Sequence, residues 1–398
     1  MYDTIIIGAG PVGSYLANKL ASSGHSILVL DKKSAPGQDV CCTGIISTDC
    51  FNLLPRDMEL PKKPVRSATF VSPSGKSLTL SRREVVAYVV DRVALEQVLA
   101  TRAESAGAHY TFNTEVTGIR PEVSCVRITA NYEGHKMEFE AETVVITTGF
   151  GSSLPARLGL GEIKNYVIGA QADVKVKHAD DIEVYFDRRL GPGGFSWLVP
   201  TGQGKGLVGQ LSYSQPKQYF RKLISALESR GKISANGAVP DYRLIPLRSL
   251  ARTYGDRLLV VGEAAGQVKP VTGGGLYYGF ICADIAGETL HKSFAVADFS
   301  KARLASYQKR WRRALGKEVT FGFWAHRFYR RLGNREIEGL HNLVSRNGMP
   351  KFISELDDFP FDWHSRLIAK MLGHLALSLP YLVLSPLWKR KAGTVGAK

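Results

Sequence analysis

The chain has 398 residues, 44% of them hydrophobic and 10% aromatic, a net charge of +16 and five cysteines. This content supports about two or three domain-sized cores and excludes a disordered chain. A sparse, odd set of cysteines does not suggest a disulfide framework and better fits a reducing compartment, whereas the positive charge leaves nucleic acid, anionic lipid and anionic substrates open.

The first strand begins almost at Met1 with no secretory signal before it, which places the expected protein in the cytoplasm. Ile5–Ile7 is a β-branched apolar run typical of a buried parallel strand. Gly8-Ala9-Gly10-Pro11-Val12-Gly13 follows and matches G-x-G-x-x-G. Its first glycine permits the turn, its second the approach of a pyrophosphate, and its third close helix–strand packing. Leu16, Ala17, Leu20 and Ala21 give the next helix its apolar face, and Gly24 ends it. Ile27–Leu30 is the second strand, and Asp31 stands where a ribose-binding carboxylate belongs. Strand, turn, helix, strand and acid agree, so this segment predicts dinucleotide binding.

A loop of small residues, Ser34 to Ser47, leaves that motif. Ser67–Leu80 predicts two short strands around Ser-Pro-Ser-Gly, and Ala87–Val90 another strand. Asp91-Arg92 opens an amphipathic helix that Gly107 stops. Tyr110–Ile119, Val126–Tyr132 and Glu138–Gly149 read as strands. From Ile163 to Tyr213, alternating polar and apolar strands predict a second, antiparallel sheet. Parallel-sheet character returns at Arg257–Val261, before Gly262-Glu263-Ala264-Ala265-Gly266 and a glycine-rich turn into a helix. The beginning of the chain and residues 257–290 therefore build one discontinuous domain.

Beyond Lys301 the pattern is helical. Lys301 to Arg335 combines many Lys and Arg with Tyr307, Trp311, Phe321, Phe323, Trp324, Phe328 and Tyr329. That mixture suits a membrane interface, with a basic face over an aromatic core stripe as the alternative. No nucleic-acid fold surrounds it, so a nucleic-acid partner is not expected. Leu367–Trp388 is apolar, but it carries Lys370, His374, Pro380 and Pro386. An interfacial helix, a helix capping the fold and a spanning helix all remain open there.

The N-terminal fingerprint, Asp91-Arg92 and the strand-plus-GEAAG unit together resemble the FAD-dependent geranylgeranyl reductase family, within the class related to aromatic hydroxylases. The resemblance covers most of residues 1–315. It implies an α/β fold: an FAD-binding Rossmann-like domain of the glutathione-reductase type, an antiparallel-sheet substrate domain and a helical C-terminal region. The expected division is 1–65, 85–160 and 245–300 for FAD, 66–84 and 161–244 for substrate, and 301–398 for the helical region. Cofactor contacts implied by position are Gly8, Gly10, Val12, Gly13, Asp31, Cys41, Cys42, Gly44, Arg92, Val116, Gly262, Glu263, Gly275 and Leu276. Glu263 takes the place of the family's Asp, and Gly275 and Leu276 offer backbone N–H groups at a helix N-terminus. Arg92 reaches the FAD in this reading; otherwise it is a solvated charge at an unfavourable helix end.

Cys41-Cys42-Thr43-Gly44-Ile45 resembles the reductases' Cys-x-x-Gly-Ile segment. Cys41 is the candidate catalytic residue, donating a proton to the alkene carbon opposite the hydride; the alternative is a small side chain that lets the loop pack closely. Pro192 to Pro200, GGFSW within it, and Gly209 resemble the family's prenyl-pocket motif. They make Phe195, Trp197, Pro200 and Gly209 the candidate substrate wall, with Val199 and Leu211 departing from the pattern. No HExxH or dense Cys/His cluster is present, so no metal is expected. A second nucleotide fingerprint is missing, leaving NAD(P)H or a ferredoxin as electron donor. The expected function is saturation of C=C bonds in a geranylgeranyl or polyprenyl chain, by an enzyme peripheral on the inner face of the membrane. The rival readings are a flavin monooxygenase on an aromatic or apolar substrate and a non-enzymatic prenyl-lipid carrier.

Overall fold

The computed structural model describes residues 1–375 apart from Asn236 and Asn347. Tyr2–Ile7 lies at the centre of the first sheet, parallel to Ile27–Leu30 on one side and to the end of His135–Ile146 on the other. Leu258–Val260 extends the sheet beyond His135–Ile146, and His109–Thr111 extends it beyond Ile27–Leu30, both in parallel. Ile5–Ile7 align with Val144–Ile146 and Leu28–Leu30, so three uninterrupted apolar runs share one layer covered on both faces. Helices Pro11–Ala21, Leu276–Phe294 and Lys301–Tyr329 cover one face, burying Leu16, Leu20, Val29, Tyr278, Tyr307 and Trp311. An antiparallel meander of Thr114–Pro121, Val126–Tyr132 and the start of His135–Ile146 covers the other, enclosing Ile5, Ile128, Val144 and Val260.

The single strand expected over Tyr110–Ile119 is two, His109–Thr111 and Thr114–Pro121. Asn113 breaks it in the left-handed region (φ 54°), which a short polar side chain tolerates. The break lets Asn113 N–H donate to the Lys33 carbonyl and Thr114 N–H to that of Asp31. The chain thereby changes from the parallel sheet to the meander.

In the second sheet Tyr166–Val176, Lys205–Ser212, Ser196–Gly202 and Ile182–Tyr185 are successive antiparallel neighbours. Asp241–Pro246 pairs with Tyr166–Val176 on its outer side. The hairpin Ser67–Val71 and Ser77–Ser81 joins at the opposite edge, its first strand parallel to Ile182–Tyr185. The expected antiparallel sheet therefore carries one parallel pair, which is possible because a long excursion, not a tight turn, connects those strands. Helix Pro216–Ser229, which the strand pattern had not indicated, packs Phe220, Leu223 and Leu227 on Leu198 and Val208. That burial leaves the sheet's opposite face, with Phe195, Trp197 and Leu211, for other uses. A three-stranded sheet of Ile45–Ser47, Ala87–Val90 and Lys62–Val65 joins the cysteine loop to the start of helix Arg92–Ser105.

Within Lys301–Tyr329, Tyr307, Trp311 and Phe323 are buried, whereas Trp324 and Phe328 are exposed. Core stripe and outward aromatic face both occur on this helix. Asn334–Val344, Met349–Ser354 and a helix beginning at residue 364 follow. No helix of the described residues is long and apolar enough to cross a membrane. The expected 367–388 segment lies mostly outside the described residues.

Candidate active site

The glycine turn is built as its spacing requires. Gly8 has φ 112°, and a Cβ there would come 2.6 Å from the Thr147 carbonyl oxygen. A Cβ on Gly13 would overlap the Gly8 carbonyl oxygen, so helix and strand meet only through glycine. Gly10 differs: nothing lies within 4 Å of an added Cβ, because it faces an open cleft at the N-terminus of helix Pro11–Ala21. Thr147 Oγ1 fixes the turn from behind by donating toward the Ile7 and Gly8 carbonyls at 3.0 and 2.9 Å. Asp31, at the end of the second strand, accepts from Ala9 N–H at 2.6 Å and from Lys33 N–H at 2.8 Å. Val12 contacts the later motif directly, since Cβ atoms on Gly262 and Gly279 would lie 3.2 and 2.5 Å from its methyls. Val116 stands in Thr114–Pro121, opposite Ala130, on the meander side of the sheet.

Asp91 caps helix Arg92–Ser105 by accepting from Val93 and Ala94 N–H. The cap offsets part of the cost of Arg92 at a positive helix end. Arg92 donates to Glu96 Oε1 at 2.9 Å, and the other Glu96 oxygen receives Gly37 N–H at 3.2 Å. Among the described residues, buried Arg92 Nε has no hydrogen-bond partner. Burial opposes the guanidinium charge, but Cys42, Glu96 and Glu263 outweigh it and hold its pKa above the usual arginine value. Gly44 (φ 71°) brings the cysteine loop against this helix, where a Cβ would strike the Val90 carbonyl.

The loop also meets the second sheet. Cys41 Sγ lies 3.9 Å from the Asp241 carbonyl, and Arg243 donates to the Asp39 carbonyl. Burial pushes the Cys41 thiol up to about 11; Arg243 pulls it down, while Cys42, Asp241 and Glu263 reinforce the rise. Cys41 is therefore a protonated thiol at neutral pH rather than a ready nucleophile. Glu263 sits across the cleft. Its side chain is open to the cleft but ringed by protein, and this enclosure raises its carboxyl pKa against the pull of Arg92 and Arg243. Among the described residues its carboxylate has no hydrogen-bond or ion-pair partner. A Cβ on Gly275 would come 2.7 Å from Glu263 Oε1, so the acid lies against the N-terminus of helix Leu276–Phe294.

On the free face of the second sheet, Phe195 and Trp197 rings are 5.8 Å apart, and Trp197 packs over Gly209, where a Cβ would overlap the indole. Trp197 Nε1 donates to Gln171 Oε1 at 3.3 Å, which satisfies its one polar group and leaves the ring as apolar wall. Pro200 is not with them: strand alternation turns it to the opposite face, and its carbonyl accepts from Lys63 at 3.3 Å. Leu211 reaches across to the Thr272–Gly275 turn, with its methyl and that of Ile245 4.0 and 3.3 Å from a Cβ built on Gly273. The apolar wall and the glycine turn thus face each other.

Sequence reasoning missed three groups. Arg243 has no motif, only its place in strand Asp241–Pro246. Lys269 lies behind the glycine turn, where a Cβ on Gly274 would be 2.8 Å from its Cε, and pairs at 2.5 Å with Asp362. Both are buried; Ser47 donates to the other Asp362 oxygen and Tyr278 to its carbonyl. Asp362 comes from the C-terminal region, so no local signal links it to Lys269.

A family model described as FAD binding domain matches residues 1–317. A digeranylgeranylglycerophospholipid reductase of Methanocaldococcus jannaschii is 30% identical over 324 residues, 78% of this chain and 82% of the relative. Digeranylgeranylglycerophospholipid reductase 2 of Methanothermobacter thermautotrophicus is 31% identical over 359 residues, 85% and 90% of the two chains. Among solved structures, a geranylgeranyl bacteriochlorophyll reductase-like protein of Thermoplasma acidophilum superimposes with a TM-score of 0.82 at 21% identity, covering 98% of each chain. Halogenase PltM in complex with phloroglucinol and FAD superimposes at 0.67 with 15% identity, over 88% and 84%.

Proposed function

The chain belongs to the FAD-dependent geranylgeranyl reductase family, and we propose that it saturates C=C bonds in the polyprenyl chains of a lipid. FAD is the family's cofactor, and the cleft residues fit it. The space in front of Gly10 suits a diphosphate at a helix N-terminus, Asp31 suits a ribose, and the orphaned Arg92 Nε suits an acceptor on the cofactor. When bound and reduced, FAD supplies a hydride.

The observation that carries the substrate reading is the apolar wall of Phe195, Trp197, Leu211 and Ile245 set opposite the Thr272–Gly275 turn. An isoprenoid chain offers no hydrogen-bonding groups along its length, and this wall demands none. Saturation forms two C–H bonds: hydride goes to one alkene carbon and a proton to the other. Cys41 holds that proton at Sγ in the same cleft, kept there by its burial. An unactivated alkene is a poor hydride acceptor, so its protonation must be aimed and water excluded. The cofactor takes up two electrons, from one NAD(P)H as a hydride or from two one-electron equivalents of reduced ferredoxin with protons from water, and the enzyme works in peripheral contact with a lipid surface at the cytoplasmic side.

The reading is tested anaerobically with purified, FAD-loaded protein and a digeranylgeranylglyceryl phospholipid, with dithionite, NAD(P)H or reduced ferredoxin as donor. Mass spectrometry should show a gain of two hydrogens per bond saturated. A lipid left unsaturated with every donor overturns the assignment, and a hydroxylated product formed under air assigns monooxygenation instead.

A further inference from the structure

Helix Lys301–Tyr329 buries Leu304, Trp311 and Leu315 against the molecule. At 100° per residue, Arg313, Lys317, Trp324, Arg327 and Phe328, with Arg331 just beyond the helix, fall within about 60° of one line on the opposite side. All six are exposed, Trp324 at 55% and Phe328 at 63%. The line runs about 27 Å at 1.5 Å per residue. It carries no acid: Glu318 is turned inward, accepting from Ser365 N–H at 3.1 Å. Among the described residues none of the four cations is in a salt bridge, whereas Arg310, one turn before the stripe begins, pairs with Glu288 at 2.5 Å. Arg327 lies 5.6 Å over the Trp324 ring, so cation and aromatic present one amphipathic surface.

We propose that this stripe is the face by which the protein lies on an anionic lipid bilayer, Trp324 and Phe328 entering the headgroup boundary while the four cations meet lipid phosphates. Charge complementarity selects that partner: unpaired cations beside two outward aromatics match a phosphate layer over an apolar one. A single-stranded nucleic acid would need a groove to track its backbone, and a convex helix face offers none. The position also fits the isoprenoid reading, on which this proposal rests. Arg330, turned away from the stripe, stacks 3.8 Å from the Tyr213 ring centre, and Tyr329 donates to the Gly194 carbonyl at 3.3 Å. Gly194 directly precedes the Phe195–Trp197 wall, so docking the stripe sets the edge of that wall beside the membrane that holds the substrate.

The test is co-sedimentation of the full-length, FAD-loaded protein with vesicles of phosphatidylcholine alone or with about one third phosphatidylglycerol. Each cation near an anionic surface contributes about fivefold in partitioning. The wild-type protein should therefore favour anionic vesicles at least tenfold, less so at high salt. R313E/K317E/R327E/R331E and W324S/F328S should each lose about tenfold or more while keeping their FAD and circular dichroism. Variants that bind like the wild type, equal binding to neutral vesicles, or retention by single-stranded RNA in place of vesicles overturns the proposal. Reduction of the digeranylgeranylglyceryl phospholipid dispersed in detergent reads the catalytic assignment separately. Stripe variants should keep it, and its absence in the wild type sinks the reductase reading without touching the vesicle result.

Discussion

Gly10 and Gly13 stand three residues apart in one motif and answer to different physics. Gly10 has φ −71° and open space in front of it, so the fold tolerates a side chain there, and only a bound diphosphate as proposed above would exclude it. Gly13 touches the Gly8 carbonyl, so a methyl there must push strand from helix. Gly10→Ala should change the melting temperature of the FAD-free protein little, as open surface substitutions do, and weaken FAD retention about tenfold or more. Gly13→Ala should cost about 1–3 kcal/mol through overpacking. Thermal denaturation with and without FAD separates the two, and equal melting loss in both variants contradicts the distinction. Cys41 allows a sharper test. Its thiol titrates at about 11, so a proton donor at this position stays loaded throughout the neutral range and empties only as pH approaches that value. Cys41→Ala should retain FAD yet lower single-turnover alkene reduction by about 100-fold or more, the scale of a lost general acid. A rate within threefold of wild type assigns Cys41 to packing alone.

Among elements, the Lys269–Asp362 pair ties the Thr272–Gly275 turn to the C-terminal region. Asp362 is 1% exposed and its carboxylate receives Lys269 and Ser47. Removing one partner leaves a buried charge uncompensated, at a cost of about 3–5 kcal/mol. Asp362→Asn should therefore lower stability markedly and weaken FAD binding, because the freed ammonium lies directly behind Gly274. Lys269→Met/Asp362→Leu should recover much of the stability, as an apolar pair often does. Chemical denaturation of the three proteins decides it, and a double variant no more stable than Asp362→Asn argues against a charge effect. The same comparison explains what the sequence could reveal. Ile5–Ile7, the glycine turn, Leu16–Ala21 and Asp31 form a contiguous unit whose period and spacing are local, and the structure builds it as read. Gly262-Glu263 was legible as a motif, and its contact with Val12 follows from glycine on both sides. Arg243 and Asp362 were not legible, because their partners lie 204 and 93 residues away and neither interrupts a hydrophobic pattern. The parallel strand Ser67–Val71 escaped for the same reason: alternation predicts a strand, not its neighbour.

At the scale of the whole molecule, acid should act through buried imidazoles. Burial pulls His326 and His364 down from 6.5 to about 4, against a favourable Pro270 carbonyl at His326 and Asp362 at His364. Between those values the unfolded chain binds protons that the folded one refuses, so stability is full above pH 6.5 and falls as pH drops toward 4. His326→Gln should flatten part of that fall in urea melts taken across the same range.

The two sheets and the cysteine loop meet around the cleft through few contacts: Cys41 to Asp241, Arg243 to Asp39, Leu211 and Ile245 to Gly273. Gly262, Ala265 and the parallel strands behind them are buried independently of that junction. Hydrogen exchange should therefore be uneven when FAD is removed. Backbone amides of Ile5–Ile7 and Val144–Ile146 lie in a covered sheet and should keep their protection, since their opening requires global unfolding. Residues 34–44 and Asp241–Pro246 are held to each other by only the contacts named above, and should exchange about tenfold faster or more without FAD. FAD at 100 times its Kd adds about 2.7 kcal/mol to global stability by mass action. A uniform change of that size at all amides indicates simple linkage, with the loop and strand held equally well by the protein alone. A change concentrated at 34–44 and 241–246 identifies the junction between cysteine loop and second sheet as the part of the protein that FAD orders.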